Sequence, residues 1–137
     1  MSVPFPFGRP SGGEPTPVLP TILRNDRGQS TAPLTALVDT GADGTLAPLS
    51  LLKAAGFRAG RQRRSLQASR ADIAPEIVIG YSLTLQIGSL ELRRVEVFGS
   101  RHLTGVILGR DVLNQLVFTY DGPRRVLELL APDSLPG

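Results

Sequence analysis

The sequence has no cysteine and no tryptophan, a single histidine (His102), and only 5% aromatic residues in 137. Without cysteine there is no disulfide framework, no thiolate metal cage and no cysteine nucleophile. One histidine excludes polyhistidine metal sites. It would also leave a Ser–His–Asp triad resting on a residue that reads more simply as an exposed loop histidine. The scarcity of aromatics implies an aliphatic core. Nor are rings that could stack nucleobases interleaved with the only dense basic stretch, Arg58, Arg61, Arg63, Arg64 and Arg70. That stretch therefore reads as a solvated strand or loop face, and no nucleic-acid partner is expected despite a net charge of +3. No apolar run approaches the roughly 20 residues that span a bilayer, and no charged leader precedes an apolar stretch at the N-terminus. The expectation is a cytoplasmic protein with no membrane partner.

Glycine and proline are abundant, at 15 and 12 residues, which favours many turns and short strands over long helices. The length fits one domain. Residues 1–17 hold five of the prolines and three of the glycines, too little apolar surface to offset ordering, and are expected to form a flexible arm. Residues 18–131 are expected to be the folded domain and 132–137 a short tail. Residues 18–23 (VLPTIL) read as an edge strand, with a turn at 25–28 leading to a second strand at 34–38. Pro48, the leucines at 49, 51 and 52, and Gly56 fit a helix of about two turns. Residues 77–87 and 90–98 alternate apolar and polar around Gly88 and Ser89, which predicts a long hairpin. Further strands are expected at 105–109, 117–120 and 126–130, with a short helix at 110–115. The class is mostly β with one or two short helices.

An apolar strand ending in Val38 delivers Asp39, Thr40 and Gly41, followed by Ala42, Asp43 and Gly44. Alone, Asp-Thr-Gly is modest evidence, since an Asx-turn closing a strand would look the same. About seventy residues downstream stands VILGRDVL, residues 106–113. The pair of motifs, in this order and with strands between them, resembles the retropepsin-like aspartic proteases over approximately residues 18–130. The resemblance implies a closed, barrel-like β fold, half of a two-lobed pepsin-like architecture. It implies that Asp39 is the catalytic aspartate, that the Thr40 hydroxyl bonds across a dimer, and that Gly41 accepts substrate through its backbone. Ala42 belongs to the same loop. Asp43 would meet both substrate backbone and Arg110, and an Asp43–Arg110 pair would keep a partly buried carboxylate ionised. Ile107, Leu108 and Gly109 would thread beneath the loop and support it, and Asp111 would cap the helix that follows. A flap is implied with its tip near Ala71, Asp72, Ile73 and Ala74, although residues 67–76 contain no glycine and Pro75 stiffens them. Gly44 stands where relatives often carry a polar side chain, which removes one specificity contact.

Peptide hydrolysis without a metal, cofactor or covalent nucleophile needs one carboxylate to deprotonate water and a second, protonated one to polarise the scissile carbonyl. No second aspartate here precedes Thr-Gly or Ser-Gly. The second Asp39 is then expected from another copy, making a twofold homodimer that binds an extended polypeptide. The resemblance makes the terminal strands at 18–23 and 126–130 candidates for the dimer sheet. A catalytically inactive dimerisation or peptide-binding module on the same fold is the alternative.

Overall fold

Alternation of apolar and polar residues builds the spine of the molecule. In the computed structural model, which describes residues 2–10, 12–66 and 74–130, β6 (Glu76–Ile87) and β7 (Leu90–Ser100) form an antiparallel hairpin with Ile87 opposite Leu90. Gly88, at φ 58°, makes the two-residue turn that joins them. Leu83, Leu85 and Ile87 of β6 are buried, as are Leu92, Val95 and Val97 of β7. The β7 pattern slips phase between Leu92 and Val95, and a bulge absorbs the slip: Leu83 faces Val95 while Leu85 faces Leu92. Arg94 takes the left-handed conformation, φ 57°, inside that bulge.

The remaining strands wrap this hairpin into a barrel. These are β2 (Val18–Arg24), β3 (Leu34–Val38), β4 (Thr45–Pro48) and β8 (Val106–Leu108). The hydrogen-bonded order is β2-β3-β8-β4-β7-β6, and pairing of β2 with β6 closes the ring. β2 is therefore not an edge strand, as its sequence suggested. Its first half pairs with β3, from Val18 opposite Leu37, and its second half with β6, from Thr21 opposite Ile87. Each half of the strand is thereby hydrogen-bonded along one side, and the switch of partner is what closes the ring. The core is aliphatic, with Leu19, Leu23, Leu52, Leu85, Ile87 and Leu108 among its fully buried side chains.

Two helices punctuate the barrel. α1 (Leu49–Ala54) starts after Pro48 and ends before Gly56, whose φ of 83° serves the helix stop. α2 (Arg110–Leu113) is shorter than its sequence suggests, and its N-cap is Gly109, not Asp111. No helix among the described residues is long and apolar enough to cross a membrane. His102 lies exposed beyond the end of β7.

A second, three-stranded sheet has the order β1-β10-β9, formed by β1 (Ser2–Pro6), β10 (Val126–Leu130) and β9 (Phe118–Asp121). Residues 2–6, expected to belong to a flexible arm, are instead a strand paired from Ser2 opposite Leu130 to Pro6 opposite Val126. Phe5 and Phe7 pack on the core, which supplies the apolar contact that composition alone did not promise. Gly8 and Thr16 then exchange backbone hydrogen bonds at 3.0 and 2.9 Å and close a loop between β1 and β2. Of the two strands expected to build a dimer sheet, β10 lies between β1 and β9 and has no free edge, while β2 pairs with β3 over one half and with β6 over the other. In the three-stranded sheet the outer edges belong to β1 and β9.

Candidate active site

Two short strands set the position of Asp39. β3 and β8 run parallel, with Val38 opposite Leu108, and both residues are buried. The chain leaves the sheet at the next residue, where the Asp39 N–H donates to the Leu108 carbonyl at 3.0 Å. The start of the loop is thus nailed to the core one residue after the hydrophobic strand ends. The Asp39 carboxylate accepts the Gly41 N–H at 2.9 Å, and the Asp39 carbonyl accepts the Ala42 N–H at 3.2 Å. A Cβ at residue 41 would come within 3.2 Å of the Asp39 Oδ1, so glycine keeps that side of the carboxylate open. Asp39 is half-buried, while Thr40 and Gly41 are exposed.

Arg110 holds the far side of the loop. Its Nη1 donates to the Thr40 carbonyl at 2.8 Å and its Nη2 to Asp43 Oδ1 at 2.5 Å, while its backbone N–H reaches the Ala42 carbonyl at 2.8 Å. The expected Asp43–Arg110 pair is present, but its expected reason fails. The Asp43 side chain is 82% exposed, so there is no buried charge to neutralise. An exposed pair of this kind contributes at most about 1 kcal/mol; what the guanidinium fork supplies is geometry, tying two points of one loop together.

Leu108 and Gly109 lie against the loop, Leu108 at Asp39 and Gly109 at Gly44. A Cβ at residue 109 would overlap the Gly44 carbonyl, so only glycine allows the two backbones to touch. The Leu37 and Ile107 side chains are half-buried between buried neighbours, hence turned out of the barrel. With Pro10, Thr35, Leu103 and Gly105 they line a cavity of about 360 Å³.

One residue of this framework escaped the sequence: Thr45. It is fully buried, its hydroxyl donates to Asp111 Oδ1 at 2.8 Å, and the same oxygen accepts the Gly109 N–H at 3.2 Å. Asp111 also accepts the Val112 N–H at 2.9 Å. Its carboxylate therefore braces β4 against α2 from within the helix. The available signal was a threonine ending a glycine-containing loop before an apolar strand, which is too common to single out.

The hairpin of β5 (Arg63–Leu66) with β6, from Arg63 opposite Ile79 to Leu66 opposite Glu76, occupies the place expected for a flap. Ala71, Asp72 and Ile73 lie outside the described residues; Ala74 is exposed. At the loop end of the hairpin, Glu76 accepts the Ser100 hydroxyl at 2.6 Å and the Arg101 N–H at 2.9 Å. Burial alone would raise its pKa, but these two bonds and the nearby Arg101 and His102 charges outweigh it and hold the carboxyl below the ordinary glutamate value. A folded-state pKa below the unfolded one means stability that is present above the unfolded value and lost as pH falls through the folded one. Glu76→Gln should accordingly cost about 1 kcal/mol at neutral pH. Denaturant titrations should show the gap from wild type closing below about pH 4.

These features, an aspartate loop on paired parallel strands with a Gly-Arg segment beneath it, can be compared with known proteins. The model of a family described as "gag-polyprotein putative aspartyl protease" matches residues 29–115. The chain belongs to the retropepsin-like aspartic proteases. Solved structures show the same fold. A retropepsin-like aspartic protease from Rickettsia conorii superposes with a TM-score of 0.59 at 19% identity, covering 94% of this chain and 91% of that one. EIAV protease, in complex with the inhibitor HBY-793, gives a TM-score of 0.53 at 17% identity over 73% and 86% of the two chains. Simian foamy virus protease gives 0.50 at 18% identity over 72% and 92%. Among curated protein sequences none matches the chain. The retropepsin-like fold thus accounts for the mostly β architecture, the closed barrel and the short helix that follows Gly109.

Proposed function

We propose that this chain is an aspartic endopeptidase whose active site forms from two Asp39 carboxylates, one from each subunit of a homodimer, and takes an extended polypeptide. The observation that carries this reading is the seating of Asp39. Its backbone is fixed to the buried Leu108, its carboxylate is oriented by the Gly41 N–H, and it stands half-buried two residues beyond Leu37, which lines a cleft. Among the described residues no second carboxylate is hydrogen-bonded to it, so one subunit carries one acid where the chemistry needs two.

Two such aspartates in contact share one proton, because both cannot ionise together. The ionised one takes a proton from water, and the resulting oxygen attacks the scissile carbonyl. The protonated one hydrogen-bonds the carbonyl oxygen and stabilises the tetrahedral intermediate. Collapse breaks the C–N bond as a proton passes to the departing nitrogen. The Leu37 and Ile107 cleft of each subunit would receive apolar side chains of a peptide bound as an added strand.

Subunit mixing tests the shared site. Wild type exchanged to equilibrium with an equal amount of Asp39→Asn protein should keep only about one quarter of the dimers fully active. Peptide cleavage followed by mass spectrometry should fall to about that level, against one half if each subunit worked alone. Wild-type protein that binds peptide yet cuts none would instead support an inactive binding module.

A further inference from the structure

The sequence puts no side chain at residue 44, but the space beside it is occupied. Nη1 of Arg64 lies 2.6 Å from the point where a Cβ on Gly44 would sit. Arg64 is an exposed residue of β5, opposite Val78, and its guanidinium carbon lies 4.8 Å from the centroid of the Phe98 ring. Stacking on the ring holds a long side chain in one place. The cation is therefore presented at a fixed point next to the aspartate loop.

Asp43, Gly44, Gln62, Arg64, Glu96 and Phe98 help to line an open cavity of about 270 Å³ there. Two of its three acidic members, Asp43 and Asp111, are engaged elsewhere. Asp43 is held by Arg110 and Asp111 by the Thr45 hydroxyl, while the Glu96 carboxylate lies against Gly80. The ion pairs among the described residues involve Arg24, Arg93, Arg110 and Arg124, not Arg64. A guanidinium presents a rigid fork that fits a carboxylate and stays charged throughout the working pH range.

We propose that Arg64 is a specificity-determining residue of the cleft, selecting peptides that carry an aspartate or glutamate side chain where they pass over Gly44. This rests on the reading above only in taking a peptide as the ligand. The pair would form at an exposed position, so the selection should be about three- to tenfold in kcat/KM and should shrink as salt is raised.

The test takes a peptide that the wild-type protein cleaves, replaces each position in turn by Glu or Gln, and measures the Glu-to-Gln ratio of kcat/KM. One position should show a ratio well above one. In Arg64→Gln that ratio should fall to about one, and in Arg64→Glu it should fall below one. A ratio near one at every position, or one that survives both substitutions, overturns the proposal. If wild type cuts no peptide, the hydrolytic reading fails. The same Glu-to-Gln ratio, read as binding affinity to the Asp39→Asn protein, still decides the role of Arg64, and its absence there overturns it.

Discussion

Asp39→Asn should abolish peptide hydrolysis, lowering kcat by at least about 10⁴-fold, because general acid and general base are lost together when both subunits change. The fold should survive. Asn retains an oxygen able to accept the Gly41 N–H, and the backbone bond from Asp39 to Leu108 does not involve the side chain. Denaturant unfolding should place the variant within about 1 kcal/mol of wild type, and it should still bind a hydroxyl-bearing transition-state isostere, though more weakly. Undiminished cleavage by a clean preparation of the variant would remove Asp39 from the chemistry.

Gly109→Ala is expected to damage both stability and activity. Residue 109 is extended, at φ −92°, so alanine meets no backbone penalty there; the obstacle is steric. Its Cβ would sit 2.5 Å from the Gly44 carbonyl carbon and 2.9 Å from the Gly44 nitrogen, and backbone cannot rotate out of the way as a side chain can. Overpacking of this kind costs about 1–3 kcal/mol. Relief requires the 39–44 loop to lift from β8, and a displacement near 1 Å of a catalytic group costs about 10²-fold in rate. Thermal unfolding and kcat/KM should therefore fall together. Gly13→Ala, where a Cβ meets nothing within 4 Å, should leave stability within about 0.5 kcal/mol of wild type.

Where one face of a strand is buried, its sequence declared it. The β6–β7 hairpin and the β2–β3 hairpin were legible because apolar residues recur at period two between turn residues. The apolar strand ending at Val38 and the Gly-Arg segment placed the candidate site through the family resemblance that the two motifs carry together. What stayed hidden depends on partners distant in sequence. β4 is four residues ending in Pro48, with no room for alternation, and becomes a strand only because β7 lies beside it from Thr45 opposite Val97. In β1 the prolines at 4 and 6 masked an alternating segment, although proline is tolerated on an edge, where only one row of backbone groups needs partners. The phase slip at Arg94 broke a pattern that seemed continuous until the bulge explained it. Asp43 exposed a different limit: sequence supplied its partner, Arg110, but not how much water surrounds the pair.

The pairing of β1 with β10 also constrains how the chain folds. Ser2 lies against Leu130, so β1 has no partner until β10 has been synthesised. The barrel strands can pair meanwhile, but β1 remains an unpaired apolar edge during that interval, open to mispairing with another copy. Contacts of such long sequence separation place this fold among the slow ones. Formation of the three-stranded sheet should thus be a late event, and the stage at which copies exchange strands most easily.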